Sequence, residues 1–556
     1  MMSRWQLLRR KGRFLGREIR GLGRTIRVKA MAGLVAGVVC AGLAASTASA
    51  QVTADRLLDS AKEPQNWMMY SGDYAGHRYS TLDQINTSNT SSLVPKWAYQ
   101  TMAGGKFETT PLVVDGVLYA TGADDRAFAL DARSGRPIWQ YQRTLPPDIR
   151  PCCGRVNRGL AILGDKVFLG TLDAHVMALD TKTGNVVWDV GTSVYNKGYS
   201  ITLAPLVIKD LVLIGVSGGE YGIRGFIDAY EAATGARKWR FYTVPGPGEP
   251  GHETWEGDSW KIGGAPAWIT GTYDAPTNTT FWTTGNPSPS NRGEGRGGDN
   301  LYSNSLLALD PDTGKLKWHF QFTKHDEHDY DSTQVPVVID DGERRLILQA
   351  NRNGFFYVID RASGKLVSAT PYGRVTWSNS KDASGVPIER KEASPTLTGV
   401  PVCPGALGAT NWFSPTYDLQ TKLFYVTARE QCDIFSTAPQ PYDPGHAFYG
   451  SAYFPNDDAQ PFWGAVRAID PATSQIKWEL KHLSPSWSGV LSTAGGLIFT
   501  GDAEGNFMAL EAASGKILWH FQCGAAVYAS PMTYAVDGKQ YLAIAAGSTL
   551  FAFGLP

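Results

Sequence analysis

Apolar and polar positions alternate along this chain in one recurring pattern: a run ending in Ala/Val-Leu/Ile-Asp, a turn carrying Thr/Ser-Gly, then a second run ending in Trp. Copies occupy residues 127–139, 176–188, 227–239, 306–318, 355–366, 466–478 and 507–519. The fifth ends in Leu366 instead of Trp, and the last replaces its Asp with Glu511. Period-two alternation predicts strands, and a Gly between them supplies the positive φ that a tight hairpin turn requires. Five copies keep that Gly four residues before the Trp, as in Gly135 with Trp139 and Gly515 with Trp519.

The first three of these tryptophans, Trp139, Trp188 and Trp239, stand about fifty residues apart, room for four short strands per repeat. The wider gap to Trp318 implies an insertion. Lys96-Trp97 ends an earlier candidate strand, and a C-terminal segment can close the ring. The expected fold is all-β: an eight-bladed β-propeller of four-stranded antiparallel blades with tryptophan-docking repeats, seven blades being the alternative count. A chain of 556 residues exceeds what one compact core usually holds, and a ring of repeats accommodates it. Gly-, Pro- and Asn-rich inserts at 243–265, 284–304 and 373–411 interrupt the ladder. In a propeller such loops gather at one mouth, where chemistry is expected.

Composition changes the picture at the N-terminus. Ten of the 52 basic residues but one of the 52 acids, Glu18, lie in residues 1–50, leaving 42 against 51 afterwards, a charge of about −9. An Arg-rich stretch, a small-residue apolar run over 30–45 and Ala48-Ser49-Ala50 before Gln51 read as a signal peptide spanning 1–50. The remaining domain, 51–556, carries no polybasic patch, which argues against nucleic acid, and no further stretch apolar enough to span a bilayer. Export implies an oxidising compartment. Cys152 and Cys153 are adjacent, Cys403 and Cys432 could close an ordinary disulfide, Cys523 has no evident mate, and Cys40 falls in the signal. No Cys-x-x-Cys-His occurs, so no covalently attached haem is expected.

Joining adjacent cysteines forces a strained ring that a fold retains when the ring has a role. Here the pair sits in Cys152-Cys153-Gly154-Arg155-Val156-Asn157-Arg158-Gly159. Further motifs follow in order: Gly218-Gly219-Glu220-Tyr221-Gly222, Trp255-Glu256-Gly257-Asp258, Gly285-Asn286-Pro287, Asp329-Tyr330-Asp331 and Asn351-Arg352-Asn353-Gly354. With Arg78-Tyr79-Ser80 near the start, the chain resembles the quinoprotein alcohol dehydrogenases across nearly all of residues 51–556. The resemblance implies bound pyrroloquinoline quinone (PQQ), with the Cys152-Cys153 ring on one face and Trp268 on the other. Arg158, Thr202 and Ser217 match positions that meet the cofactor's carboxylates, and Glu108, Gly218, Gly219, Arg352, Asn411 and Trp487 match further contacts. Three matched oxygen ligands, Glu220, Asn286 and Asp329, suit calcium or another hard cation. Asp331 adds a carboxylate that lanthanide-dependent members carry, so a lanthanide is favoured and calcium is the alternative.

By the same resemblance Asp329 is the catalytic base for oxidation of a primary alcohol to an aldehyde in the periplasm, electrons leaving to a separate soluble cytochrome c. A small alcohol, that cytochrome and further copies of the chain are the expected partners. Two other readings share the repeat: a quinoprotein dehydrogenase of another substrate such as a sugar, and a non-catalytic envelope scaffold. The scaffold has no need of paired cysteines or of Asp-Tyr-Asp. His328 and Arg352 depart from the family's commoner Trp and Lys, which bears on substrate range and rate.

Overall fold

The structure is a computed structural model that describes residues 51–102, 104–456 and 461–556. The proposed signal peptide and Cys40 lie outside the described residues. Among those described, strands dominate, helices are single turns or little more, and no helix is long and apolar enough to cross a membrane.

Each sequence repeat is a hairpin inside a larger antiparallel sheet. Sheet one contains Leu112–Val114, Val117–Gly122, Arg126–Asp131 and Pro137–Gln142, hydrogen-bonded in chain order. Sheet two repeats this from Ala161–Leu163 to Val186–Gly191, sheet three from Leu206–Ile208 to Arg237–Tyr242, sheet four from Thr272–Asp274 to Leu316–Gln321, and sheet five from Val337–Asp341 to Leu366–Pro371. Sheet six pairs Thr416–Tyr417, Phe424–Glu430, Trp463–Asp470 and Gln475–His482. Sheet seven runs from Val490–Thr493 to Ile517–Gln522, with Tyr79–Ser80 added in parallel. Sheet eight joins the two ends of the domain: Val94–Gln100 lies antiparallel to Thr549–Gly554, beside Lys539–Ala546 and Met532–Val536.

The Gly and Trp of the repeat meet between neighbouring sheets. Gly135, Gly184, Gly235, Gly314, Gly364 and Gly515 all have φ of 70–75°, and a Cβ on any of them would lie 2.5–2.8 Å from the indole of Trp97, Trp139, Trp188, Trp239, Trp318 or Trp478 respectively. Positive φ and the flat ring together demand Gly. The Trp97, Trp139, Trp188, Trp239 and Trp478 indoles each donate to a carbonyl on the next sheet's turn, and Trp519 donates to Leu93 just ahead of the first strand of sheet eight. The exception explains itself. In sheet five the strand position that carries Trp elsewhere, opposite Val358, holds Ser368 and not Leu366, so no ring stands there, and the facing turn carries Ser474, whose hydroxyl pairs with that of Ser368. Apolar strand faces fill the space between sheets, with Val167, Leu213, Phe281, Ile347 and Phe499 among the fully buried residues.

The inserts contain more structure than the sequence suggested. Residues 373–411 hold a hairpin, Ser378–Lys381 with Pro387–Glu389, and the strand Val400–Val402. That strand pairs with Asp433–Phe435, which pairs with Tyr453–Pro455. The latter two strands belong to a second insert, between the two central strands of sheet six, that the repeat pattern did not reveal. Disulfide Cys403–Cys432 (S–S 2.04 Å) fastens the two inserts together, and Cys523 is free.

Candidate functional site

In a four-stranded antiparallel meander, the connection between the second and third strands emerges at the same end as the link from the fourth strand to the next sheet. Every residue singled out by the sequence lies in one of these two kinds of connection. Glu108, Cys152, Cys153, Arg158, Thr202, Trp268, Asp329, Asp331, Asn411 and Trp487 occupy links between sheets; Ser217, Gly218, Gly219, Glu220, Asn286 and Arg352 occupy central connections. All but Gly219 and Asn286 line a single cavity of about 340 Å³.

One wall is the vicinal disulfide Cys152–Cys153, with Cys153 at φ 66°. Trp268 also lines the cavity, as does Trp412. The Arg158 guanidinium lies 5.0 Å from the Trp268 ring and 4.9 Å from that of Trp412, and this stacking fixes its plane. Arg158 pairs with buried Glu108 at 2.8 Å and donates to Thr202 Oγ1 at 2.8 Å, which in turn meets Ser217 Oγ at 2.8 Å. Burial pushes the Glu108 carboxyl up, and Arg158 opposes that shift. Lys106 extends over the rings of Trp487 and Tyr528, 5.6 Å from each, adding a second cation at this end. The arrangement suits a planar polyanion: flat walls, two cations and a hydroxyl pair.

The other end is acidic. Glu220 sits on the single turn Gly219–Tyr221, preceded by Gly218, where both φ 117° and the carbonyl of Gly198, which a Cβ would strike, demand Gly. Gly219 lets the turn approach Asn286, whose Oδ1 would lie 3.0 Å from an added Cβ, and Gly285 makes room for Asp331 Oδ1. Asp331 accepts from the Asn286 backbone N–H at 2.8 Å and from Arg352 Nη1 at 2.7 Å. Arg352 Nη2 holds Asp329 Oδ2 at 2.9 Å and also donates to the carbonyl of Ala406. Asp329 Oδ1 and Asn286 Oδ1 are buried with no hydrogen-bond partner, an arrangement that costs free energy unless something else binds there. Burial and then the charge of Asp331 push Glu220 up to about 7; burial likewise raises Asp329 and Asp331 against the pull of Arg352.

These acids share a cavity but do not form a closed shell. Among the described residues, the one group of three or more His, Cys, Asp or Glu ligand atoms lying within 4.8 Å of one another is Cys152, Cys153 and Glu220. Asp329 and Asp331 are instead paired with Arg352. The two orphaned oxygens, one carboxylate and one amide carbonyl, together with the carboxylates of Glu220 and Asp331, nevertheless constitute a hard-oxygen donor set, which fits a hard cation and disfavours soft metals. Six lining residues escaped the sequence reading: Lys106, Val156, Leu407, Trp412, Tyr449 and Tyr453. Val156 and Trp412 adjoin residues already singled out; the two tyrosines come from the second insert, which bears no motif.

Sheets following one another in chain order, with Val94–Gln100 paired to Thr549–Gly554 and a pocket in their connections, have the organisation of a β-propeller. The family described as glucose/ethanol/alcohol dehydrogenase, beta-propeller domain (PQQ), matches residues 67–385 and 386–542. The quinoprotein alcohol dehydrogenase PedH of Pseudomonas putida is 41% identical over 544 residues, 92% of this chain and 91% of that protein. The solved quinohemoprotein alcohol dehydrogenase of Comamonas testosteroni superposes with a TM-score of 0.83 at 37% identity, covering 91% of this chain and 82% of that one. A europium-containing methanol dehydrogenase superposes with a TM-score of 0.86 at 33% identity, covering 90% of this chain and all of that one. The chain belongs to the PQQ-dependent alcohol dehydrogenase family.

Proposed function

We propose that this protein oxidises primary alcohols to aldehydes in the periplasm, using PQQ and one hard metal ion, and passes the electrons to a separate cytochrome c. The carrying observation is one cavity in which a disulfide- and indole-walled slot meets Asp329, whose buried Oδ1 has no partner, with the equally unpartnered Asn286 Oδ1 beside the Glu220 turn. PQQ would lie between Cys152–Cys153 and Trp268, its carboxylates toward Arg158, Thr202, Ser217 and Lys106, with Glu108, Gly218, Gly219, Arg352, Asn411 and Trp487 around it. Glu220, Asn286, Asp329 and Asp331 would hold the cation. Three carboxylates in that set favour a lanthanide over calcium. When bound, the metal-activated quinone supplies a hydride acceptor.

The chain's own contribution is positioning and proton removal. Arg352 fixes Asp329 through Oδ2 and leaves Oδ1 to take the hydroxyl proton of the alcohol. Ion pairing keeps Asp329 and Asp331 in place, and the stacked Arg158 neutralises anionic charge at the far end. In this reading residues 1–50 are a signal peptide, 51–556 form an eight-bladed ring docked by the Trp–Gly contacts, and copies of the chain associate.

Residues 51–556 purified with PQQ and either lanthanum or calcium, assayed by dye reduction with ethanol, test the reading. Activity with lanthanum is expected to exceed that with calcium, and Asp331→Ala to remove the preference. Asp329→Asn should lower kcat by about 10²–10⁴-fold. Equal activity with both metals that Asp331→Ala leaves unchanged would remove Asp331 from the ligand set.

A further inference from the structure

Leu407, Tyr449 and Tyr453 line the cavity without matching any cofactor or metal position. Both tyrosines come from the second insert of sheet six, and its residues 438–453 form a strap laid over the turn that carries Glu220. Phe448 N donates to the Glu220 carbonyl at 2.6 Å, the Tyr442 hydroxyl to the Gly222 carbonyl at 3.2 Å, and Asn291 N to the Tyr449 carbonyl at 2.8 Å. The bend of the strap is set from inside. Gln440 donates through Nε2 to the Ala447 carbonyl at 2.6 Å and accepts from Gly450 N through Oε1 at 2.9 Å, while Ala438 N donates to the Gly450 carbonyl at 2.9 Å. Tyr449 is thus held by a clamp whose own side chain is outside the cavity lining.

Both phenols stand at the acidic end. Burial, followed by the charges of Glu220 and Asp329, raises Tyr449; burial, followed by Asp329, raises Tyr453, so both stay neutral donors. We propose that this strap is the specificity element of the alcohol site, selecting through Tyr449 and Tyr453 primary alcohols with an apolar alkyl or aromatic substituent over polyols and sugars. The proposal rests on the alcohol dehydrogenase reading above. Its physical basis is the chemistry left to a substituent: Leu407 and two phenol rings, beside carboxylates already engaged by Arg352 or assigned to the cation. The extra hydroxyls of a polyol would lose water there with only the two phenol hydroxyls to pair with, whereas added methylenes would leave water for apolar contact with Leu407 and the ring faces.

The test is steady-state kinetics of the loaded enzyme with ethanol, 1-butanol, 1-hexanol, benzyl alcohol, glycerol and glucose, beside quinone titrations of each variant. From ethanol to 1-hexanol kcat/KM is expected to rise about tenfold or more, with glycerol and glucose about tenfold or more below ethanol. Tyr449→Ala and Gln440→Ala should flatten the chain-length dependence, chiefly through KM of the longer alcohols, and Tyr449→Phe should retain it. Quinone affinity of Gln440→Ala within about twofold of the parent separates lost selectivity from lost folding. A preference for glycerol or glucose, or a chain-length dependence unchanged in both Tyr449→Ala and Gln440→Ala, overturns the proposal. A protein that binds quinone and metal yet oxidises none of the six overturns the dehydrogenase reading itself.

Discussion

Four carboxylates share this cavity with three cations, and the balance differs between its two ends. Glu108 is matched by Arg158, with Lys106 nearby, whereas Glu220, Asp329 and Asp331 share Arg352. Burial first, and then the charge of Asp331, favours the protonated form of Glu220 and pushes it up to about 7. A carboxyl raised in the folded state stabilises the fold in its protonated form. That contribution is complete below the ordinary value of 4.5 and is lost as the pH climbs through about 7. Metal-stripped protein should therefore melt at a higher temperature at pH 5 than at pH 8. A hard cation displaces the proton, so lanthanum should narrow the difference, and its apparent affinity should rise with pH to about 7 and then level. Melting curves at the two pH values, with and without lanthanum, check this; curves insensitive to both would contradict it. The sequence made the identities of these acids legible through short motifs, but not the grip of Arg352 on two of them. That grip joins three separate connections, those carrying Asp329 and Asp331, Arg352 and Ala406, and only packing brings them together.

At the scale of the element, the hairpin repeat was legible because its two demands are local: alternation along strands and a Gly in each turn. The partner of that Gly was not. The ring on which each Gly stacks belongs to the preceding sheet, so the Gly–Trp rule couples one repeat to the next. Ser368 in the Trp position, followed by Ser474 in the Gly position, is the pair that reveals this coupling. Gly235→Ala should lower stability by about 1–3 kcal/mol, since it forces a Cβ at φ 75° against Trp188. Ser474→Gly, at φ 56° and facing no indole, should change stability by about 1 kcal/mol or less. Denaturant unfolding of the two variants measures the difference; equal losses would show that strand pairing alone fixes the turns. The second insert of sheet six was illegible for the opposite reason. Its strands are short, its residues follow no period, and its conformation depends on Gln440, the Cys403–Cys432 disulfide and the Glu220 turn.

For the whole molecule, the antiparallel meander explains why residues from 108 to 487 reach one place. Every sheet sends two connections to the same end, and pairing of Val94–Gln100 with Thr549–Gly554 ties the last sheet to the first part of the chain. Function then depends on whether the loops create one coherent cavity, with flat walls and cations at one side and hard oxygens at the other. Quinone binding to purified residues 51–556, followed by titration with PQQ in lanthanum, in calcium and without metal, tests that most directly. The account predicts saturation at one quinone per chain when a hard cation is present, with affinity weakened by Arg158→Ala. Failure to bind PQQ under all three conditions would contradict it.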